Sequence, residues 1–424
     1  MPARRRLFAD ITPLRESGDF RRLYAGQLVS FLGSQLAIVA VPFQVFDLTH
    51  SSFQVGLVSL AQLGPLLVGS LVGGAVADQM DRRRLILVMQ VAQAATSVAL
   101  ALNVLHGDGT LWPIYVFTSL AAALSGIDRP ARSAAVPGVV DRSQLAAAYA
   151  LWQILLQVGA VAGPALAGIL LARFGLAPLY WLDAVSFGAA FIAVRGMGPL
   201  PPAEGASTEL RSSIFEGVRY ARARQELVGV FVSDLDAMIF GMPRAVFPAL
   251  AENVFGGGAT TYGLLSAAPG AGALIGALTT GWVGSVRRQG LAVILAVAAW
   301  GLAITGFGFV RWLWVALLLL ALAGAADVIS AVFRNTILQT IVPDRLRGRL
   351  SALQIAVVSG GPRLGDAEAG AAAAIGGARF AVWTGGLGCL LGVGVVAVWL
   401  PRFRGFLAGT PEPEAGAQEA GTPT

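Results

Sequence analysis

Gly56-Leu57-x-Ser59 returns 207 residues later as Gly263-Leu264-x-Ser266, and Gly69 and Gly74 return at the same offset as Gly276 and Gly281. Every copy lies in apolar sequence, so the chain is written as two like halves of hydrophobic spans. Crossing about 30 Å of hydrocarbon takes about 20 apolar residues in a helix. Runs near that length fall at 22–46, 54–77, 85–105, 112–133, 146–171, 177–195, 227–250, 261–283, 291–310, 312–336, 351–375 and 380–400. The expectation is an all-α integral membrane protein of about twelve helices, six in each half.

Composition agrees. Hydrophobic residues make up 56% of the 424 and charged residues only 13%, with a mean hydropathy of +0.70, which no water-facing surface would tolerate. All basic residues are Arg, since the sequence has no Lys. Arg4, Arg5, Arg6, Arg15, Arg21 and Arg22 precede the first span, Arg82, Arg83 and Arg84 follow the second, and most others fall on the same side. Only Arg173, Arg311 and Arg379 fall in the opposite loops. The positive-inside rule then places both termini and the central linker in the cytoplasm of a multi-pass plasma (inner) membrane protein. A basic inner face against anionic lipid accounts for the net charge of +6 without nucleic acid.

The organisation follows. Residues 1–21 form a cytoplasmic N-terminal segment with no cleavable leader, 22–195 a first six-helix bundle, and 227–400 a second. Between them, 196–226 begins as a linker with Pro199, Pro201, Pro202, Glu204 and Gly205. It continues as an amphipathic helix for which Ser213-Ile214-Phe215-Glu216 has capping-box spacing. The tail at 401–424 reads as disordered beyond about Leu407.

The sharpest motif closes the second span: Gly74-Ala75-Val76-Ala77-Asp78-Gln79-Met80-Asp81-Arg82-Arg83-Arg84. It resembles the signature loop of the major facilitator superfamily, G-x-x-x-D-x-x-[G/D/E]-R-[R/K]. The resemblance makes Gly74, Asp78, Arg82 and Arg83 a conformational latch, in which Asp78 meets a helix N-terminus and an Arg. The repeat-related position of Asp78 is Ser285, so the latch is expected in one half only. Gly159-Ala160-Val161-Ala162-Gly163-Pro164 in the fifth span resembles the G-x-x-x-G-P element of exporters in that superfamily, with Gly360-Gly361-Pro362 as its counterpart in the eleventh. Gly159, Gly163, Pro164, Gly361 and Pro362 are thus gate or packing residues: glycine admits a close helix and proline removes a backbone hydrogen bond.

Thr49-His50-Ser51-Ser52-Phe53-Gln54-Val55-Gly56-Leu57, Pro248-Ala249-Leu250-Ala251-Glu252-Asn253 and Gly272-Ala273-Leu274-Ile275-Gly276-Ala277-Leu278-Thr279 are similar to the enterobactin-exporter-like branch. That similarity, over about residues 15–405, implies a secondary active exporter of a siderophore or similar amphiphile, working by alternating access and driven by protons. A multidrug or macrolide efflux transporter is the alternative, and a non-transporting receptor or scaffold a more distant one.

Charges inside spans mark where work is done, because each ionised group near the bilayer centre costs about 2.5–3.5 kcal/mol unless it faces a cavity or a partner. Asp128, Arg129 and Arg132 lie in the fourth span, Asp234, Asp236 and Arg244 in the seventh, and Asp327 and Arg334 in the tenth. The superfamily resemblance makes these cavity-lining helices, so all eight are candidates for substrate or proton binding. Arg132 and Arg334, on corresponding spans, are suited to a carboxylate or catecholate, or else to interhelical ion pairs. Asp234 and Asp236, about 200° apart on a helix, cannot both face one cavity. Arg363, Asp366 and Glu368 form a further polar cluster in the eleventh span, with Arg363 and Asp366 spaced to pair locally.

Enzymatic readings lack material. His50 and His106 are the only histidines and Cys389 the only cysteine, so neither a metal site nor a disulfide is expected. No Gly-rich loop ends in Gly-Lys-Ser/Thr, so ATP is not expected as the energy source. The expected partners are a small-molecule substrate, protons and the lipid bilayer, with no cofactor, and the chain is expected to be monomeric.

Overall fold

A computed structural model describes residues 10–106, 109–201 and 210–408. The arginines at 4–6, the linker residues 202–209 and the tail beyond 408 lie outside them. The first half contains α1 (Gly18–Thr49), α2 (Ser52–Gln79), α3 (Arg82–Leu105), α4 (Leu111–Val139), α5 (Leu145–Phe174) and α6 (Leu176–Arg195). After a linker helix, Leu210–Arg222, the second half contains α7 (Gln225–Phe240), α8 (Gly258–Leu278), α9 (Gln289–Phe309) and α10 (Leu313–Ile341). The last helical stretch, Asp344–Trp399, bends at Gly377, whose φ is 85°. It therefore supplies two passes, α11 (344–376) and α12 (378–399).

Ten of these helices have the length and hydropathy to cross a bilayer, counting the stretch through Leu346–Trp399 as one. Dividing that stretch at Gly377 gives an eleventh pass, and α7 with its continuation gives the twelfth. The expected single span at 227–250 is in fact broken. The α-helix ends at Phe240, a 3-10 turn occupies Arg244–Val246, and a short helix follows over Phe247–Asn253. Pro243 precedes that turn; it has no N–H to continue the ladder, and its ring restricts Met242 before it.

Local chemistry sets the other ends. The Ser17 side chain accepts from the Phe20 N–H at 3.0 Å and opens α1, and the Asp81 carboxylate accepts from the Arg84 N–H at 2.8 Å and opens α3. Gly175, at φ 77°, turns α5 directly into α6, a backbone conformation that a side chain would strain. The linker helix already runs from Leu210, so Ser213 lies inside it and not at its first position. The linker helix packs on the second half: the Tyr220 hydroxyl donates to the Ile341 carbonyl at 3.3 Å, and Glu216 pairs with Arg349.

The large exposed side chains are those of a lipid-facing surface, among them Val185, Ile192, Leu278, Ile375 and Leu391. Trp112, Trp312 and Trp314 ring the end opposite the arginines, and Trp282 and Trp399 lie at the Arg-rich end, as interfacial tryptophans do. Within the protein the buried core is continuous through both halves at the far end, where Val45, Val55 and Leu171 join Phe247, Leu250 and Tyr262. At the Arg-rich end the first half packs a core of its own around Phe20, Leu23, Ile86 and Val194.

Candidate functional site

The halves meet along two glycine-lined seams. On one, α2 crosses α11: a Cβ on Gly56 would lie 2.5 Å from the Asp366 carbonyl oxygen, and one on Gly370 would lie 2.7 Å from that of Ser52. On the other, α5 crosses α8: a Cβ on Gly168 would lie 2.6 Å from the Gly263 Cα, and one on Gly270 would lie 3.0 Å from the Ala160 carbonyl oxygen. These approaches run from the far end to about the middle of the helices. With the separate core of the first half, they describe two bundles sealed at the far end and parted at the Arg-rich end.

The gate candidates divide. Gly159 packs on the Phe31 ring and Gly163 on the Gln35 side chain, so this part of the fifth-span motif fits α5 to α1 inside the first half. Pro164 offers its carbonyl oxygen 3.1 Å from a Cβ on Gly263, which puts it on the seam. Gly361 packs on Met238 of α7, and Pro362 lies within α11.

Between the halves the charges fall into three groups. In the first, Arg132 donates from Nε to Asp128 Oδ2 at 2.5 Å, one turn away on α4, with both residues buried. In the second, Arg334 of α10 ion-pairs with Asp234 of α7 at 2.8 Å and lies 3.7 Å from Asp327 on its own helix. It also donates to the Ser330 hydroxyl at 3.0 Å. Sequence spacing left Arg132 and Arg334 open as either ligand contacts or interhelical pairs. Both are committed to carboxylates, with less than a tenth of either side chain exposed.

The third group is mainly cationic. Arg129 of α4 and Arg244 of the α7 break are exposed and form no ion pair or hydrogen bond among the described residues. Arg363 of α11 feels the charges of both as well as that of Asp366. Its Nη1 donates to the Ser359 carbonyl at 2.7 Å, while its buried Nε has no partner. The expected local pair of Arg363 with Asp366 is not formed. Instead Asp366 accepts from the Ser59 hydroxyl of α2 at 2.9 Å.

Two further carboxylates face away from this space. Asp236 packs on Gly392 of α12, which separates it from Asp234 as the helical angle requires. Asp183 of α6 was not singled out from the sequence. It is buried at 3% exposure, accepts from the Ser97 hydroxyl of α3 at 2.6 Å, and packs against Gly33 of α1. A lone carboxylate inside an apolar span was the available signal.

At the Arg-rich end of the first half, Asp81 rather than Asp78 organises the loop. Besides capping α3, it accepts from the Leu200 N–H at 2.8 Å. Arg82 donates to the Ala134 carbonyl at 3.1 Å and Arg83 to the Arg195 carbonyl at 2.6 Å. Asp78 is half-buried with no hydrogen bond or ion pair among the described residues, and nothing lies within 4 Å of a Cβ on Gly74. A pocket of about 500 Å³ opens at the far end, lined among others by His50, Phe53, Asn253 and Arg379. It lies apart from the three charge groups.

Residues 8–409 match the family described as transmembrane secretion effector. Enterobactin exporters EntS of Shigella boydii and Escherichia coli are each 31% identical to the chain over 399 residues, covering 93% of it and 95% of the relative. The chain belongs to the transmembrane secretion effector family of the major facilitator superfamily.

Solved major facilitator structures share its fold. The nucleoside transporter NupG superposes with a TM-score of 0.72 at 12% identity, covering 91% of this chain and 98% of that one. The peptide transporter POT, as a variant in complex with sulfate, gives 0.73 at 13% identity, covering 93% and 96%. As a secretion effector of this superfamily the chain is a membrane transporter for a small molecule, not an enzyme. The seams and the charged space between the bundles are the parts such a transporter has to move and to fill.

Proposed function

We propose that this protein exports a catecholate siderophore of the enterobactin type from the cytoplasm by proton-driven alternating access. The observation that carries this reading is the 31% identity to enterobactin exporters along nearly the whole of both chains. The Arg-rich end is the cytoplasmic end in this reading, by the positive-inside rule, and both termini and the linker face the cytoplasm. Substrate enters between the parted bundles from that side and leaves after the glycine seams part at the far end.

The coupling proton is assigned to Asp327. One guanidinium, that of Arg334, serves both Asp234 and Asp327, and the Asp327 contact is the longer and the more exposed of the two. An acid that shares its cation can exchange a proton for a tighter ion pair, and substrate and proton then take turns. Asp128 and Asp234 serve better as fixed partners of Arg132 and Arg334. Asp236 faces α12.

The test is enterobactin efflux from proteoliposomes holding the purified protein, with a pH gradient imposed or collapsed. Gradient-dependent enterobactin efflux, lost in Asp327→Asn while passive exchange persists, supports the reading. Efflux of a macrolide with none of enterobactin replaces the substrate by that of a multidrug transporter, and absence of any flux points to a receptor or scaffold. Efflux that persists in full without an ion gradient removes the proton from the mechanism.

A further inference from the structure

Of the charged side chains between the halves, the arginines first matched to an anion are neutralised, whereas Arg244 and Arg363 share the one carboxylate of Asp366 and Arg129 acts on Arg363 beside them. Arg129 belongs to the first half, Arg244 and Arg363 to the second. Asp128, the acid next to Arg129, is already held by Arg132, so the cations here outnumber the acids and leave an excess positive charge inside the membrane, which is costly unless an anion or solvent meets it. The polar atoms agree: Arg363 Nε and Asp366 Oδ1 are buried and have no hydrogen-bond partner among the described residues.

Asp366 is also part of the far seal. Its backbone carbonyl is the surface against which Gly56 packs, and its carboxylate holds the Ser59 hydroxyl across the seam. The 3-10 turn in the break of α7 packs against both α2 and α11 and brings Arg244 to the same carboxylate.

We infer that Arg129, Arg244 and Arg363 form the subsite for the anionic catechol or carboxylate group of the substrate, and that Asp366 links occupancy of this subsite to the far seal. This rests on the export reading for the identity of the ligand, but not for the presence of an anion site. A bound anion displaces Asp366 as counter-ion to the arginines. The carboxylate then gains nothing from staying among them, and the state in which it has left Ser59 is favoured. Binding from the cytoplasmic side thereby loosens the gate on the opposite side.

The experiment uses the detergent-purified full chain and two near-isosteric probes, 2,3-dihydroxybenzoate and its neutral amide, titrated by calorimetry. The protein is expected to prefer the carboxylate. Arg129→Gln, Arg244→Gln and Arg363→Gln should each weaken binding of the benzoate about tenfold while leaving the amide within about twofold, as loss of a charge-assisted contact requires. Retained amide binding shows that each variant is folded, and Arg→Lys at the same positions should restore part of the preference. In a Cys389→Ser background, the Ser52→Cys variant should react faster with a hydrophilic maleimide when the benzoate is present, and Asp366→Asn should abolish that increase.

Equal affinity for the two probes, or a preference that survives all three Arg→Gln variants, overturns the anion site even if enterobactin is exported. An Arg-dependent preference with no change in labelling at position 52 overturns the link to the seal. An Arg-dependent preference in a protein that fails to move enterobactin keeps the site and removes the siderophore.

Discussion

Gly168 of α5 and Gly263 of α8 meet backbone to backbone across the seam, so closely that a Cβ on the first would lie 2.6 Å from the Cα of the second. No side chain fits there while the far end is shut. Gly168→Val should therefore act as a wedge. Overpacking of this kind costs about 1–3 kcal/mol, and about 1.4 kcal/mol is a tenfold shift in population. The expected outcome is roughly tenfold slower export with faster maleimide labelling of far-end cysteines. Unchanged labelling would show that the seam tolerates the side chain without opening.

The Asp128–Arg132 and Asp234–Arg334 pairs should behave as structure and not as selectivity. Removing one partner of a buried pair leaves an uncompensated charge, at a cost of about 3–5 kcal/mol. Arg334→Met should lower thermal stability markedly, and Asp234→Asn combined with Arg334→Met should recover much of the loss. Thermal unfolding followed by tryptophan fluorescence checks this, and a double variant no better than the single one would argue against the pairing.

Arg132→Gln and Arg129→Gln separate two roles on one helix. The first should reduce stability and treat charged and neutral substrates alike, because Arg132 is spent on Asp128. The second should leave melting within a few degrees yet discriminate against anions, because Arg129 forms no ion pair or hydrogen bond among the described residues. Competition transport with acidic and neutral catechols, paired with melting curves, reads both.

The division of the chain into bundles was legible because twenty apolar residues and a 207-residue repeat are local facts. The signature loop and the Gly-Pro motifs were legible for the same reason. The break after Phe240 was harder to read, since Gly241, Pro243 and Pro248 sit in a stretch as apolar as its neighbours. The assignment of charges failed for a different reason. Arg334 meets Asp234, 100 residues away in the chain, and Asp366 meets Ser59, 307 residues away. Spacing on one helix shows which charges share a face but not which are already neutralised by another helix. Arg363 and Asp366 are spaced i,i+3 to pair, whereas Arg363 donates to the Ser359 carbonyl of its own helix and tertiary packing gives Asp366 to Ser59.

The loop after α2 carries its own test. With the Arg-rich end parted, Asp78 has no partner among the described residues, as expected of a latch that engages only when that end closes. Asp78→Asn should therefore slow transport about tenfold, within the range of conformational coupling energies, while leaving substrate affinity and membrane insertion intact. Normal turnover at matched expression would reduce Asp78 to ordinary loop charge.

The account turns on reciprocal movement of the two bundles, and distances between spin labels measure it directly. In a Cys389→Ser background, one pair joins Trp112→Cys to Trp312→Cys at the far end, and a second joins Met80→Cys to Leu278→Cys at the Arg-rich end, all four sites being exposed. Under conditions of active enterobactin transport, the far-end distance should lengthen while the Arg-rich-end distance shortens. Distances that stay fixed during transport, or that change in the same direction at both ends, would contradict alternating access in this protein.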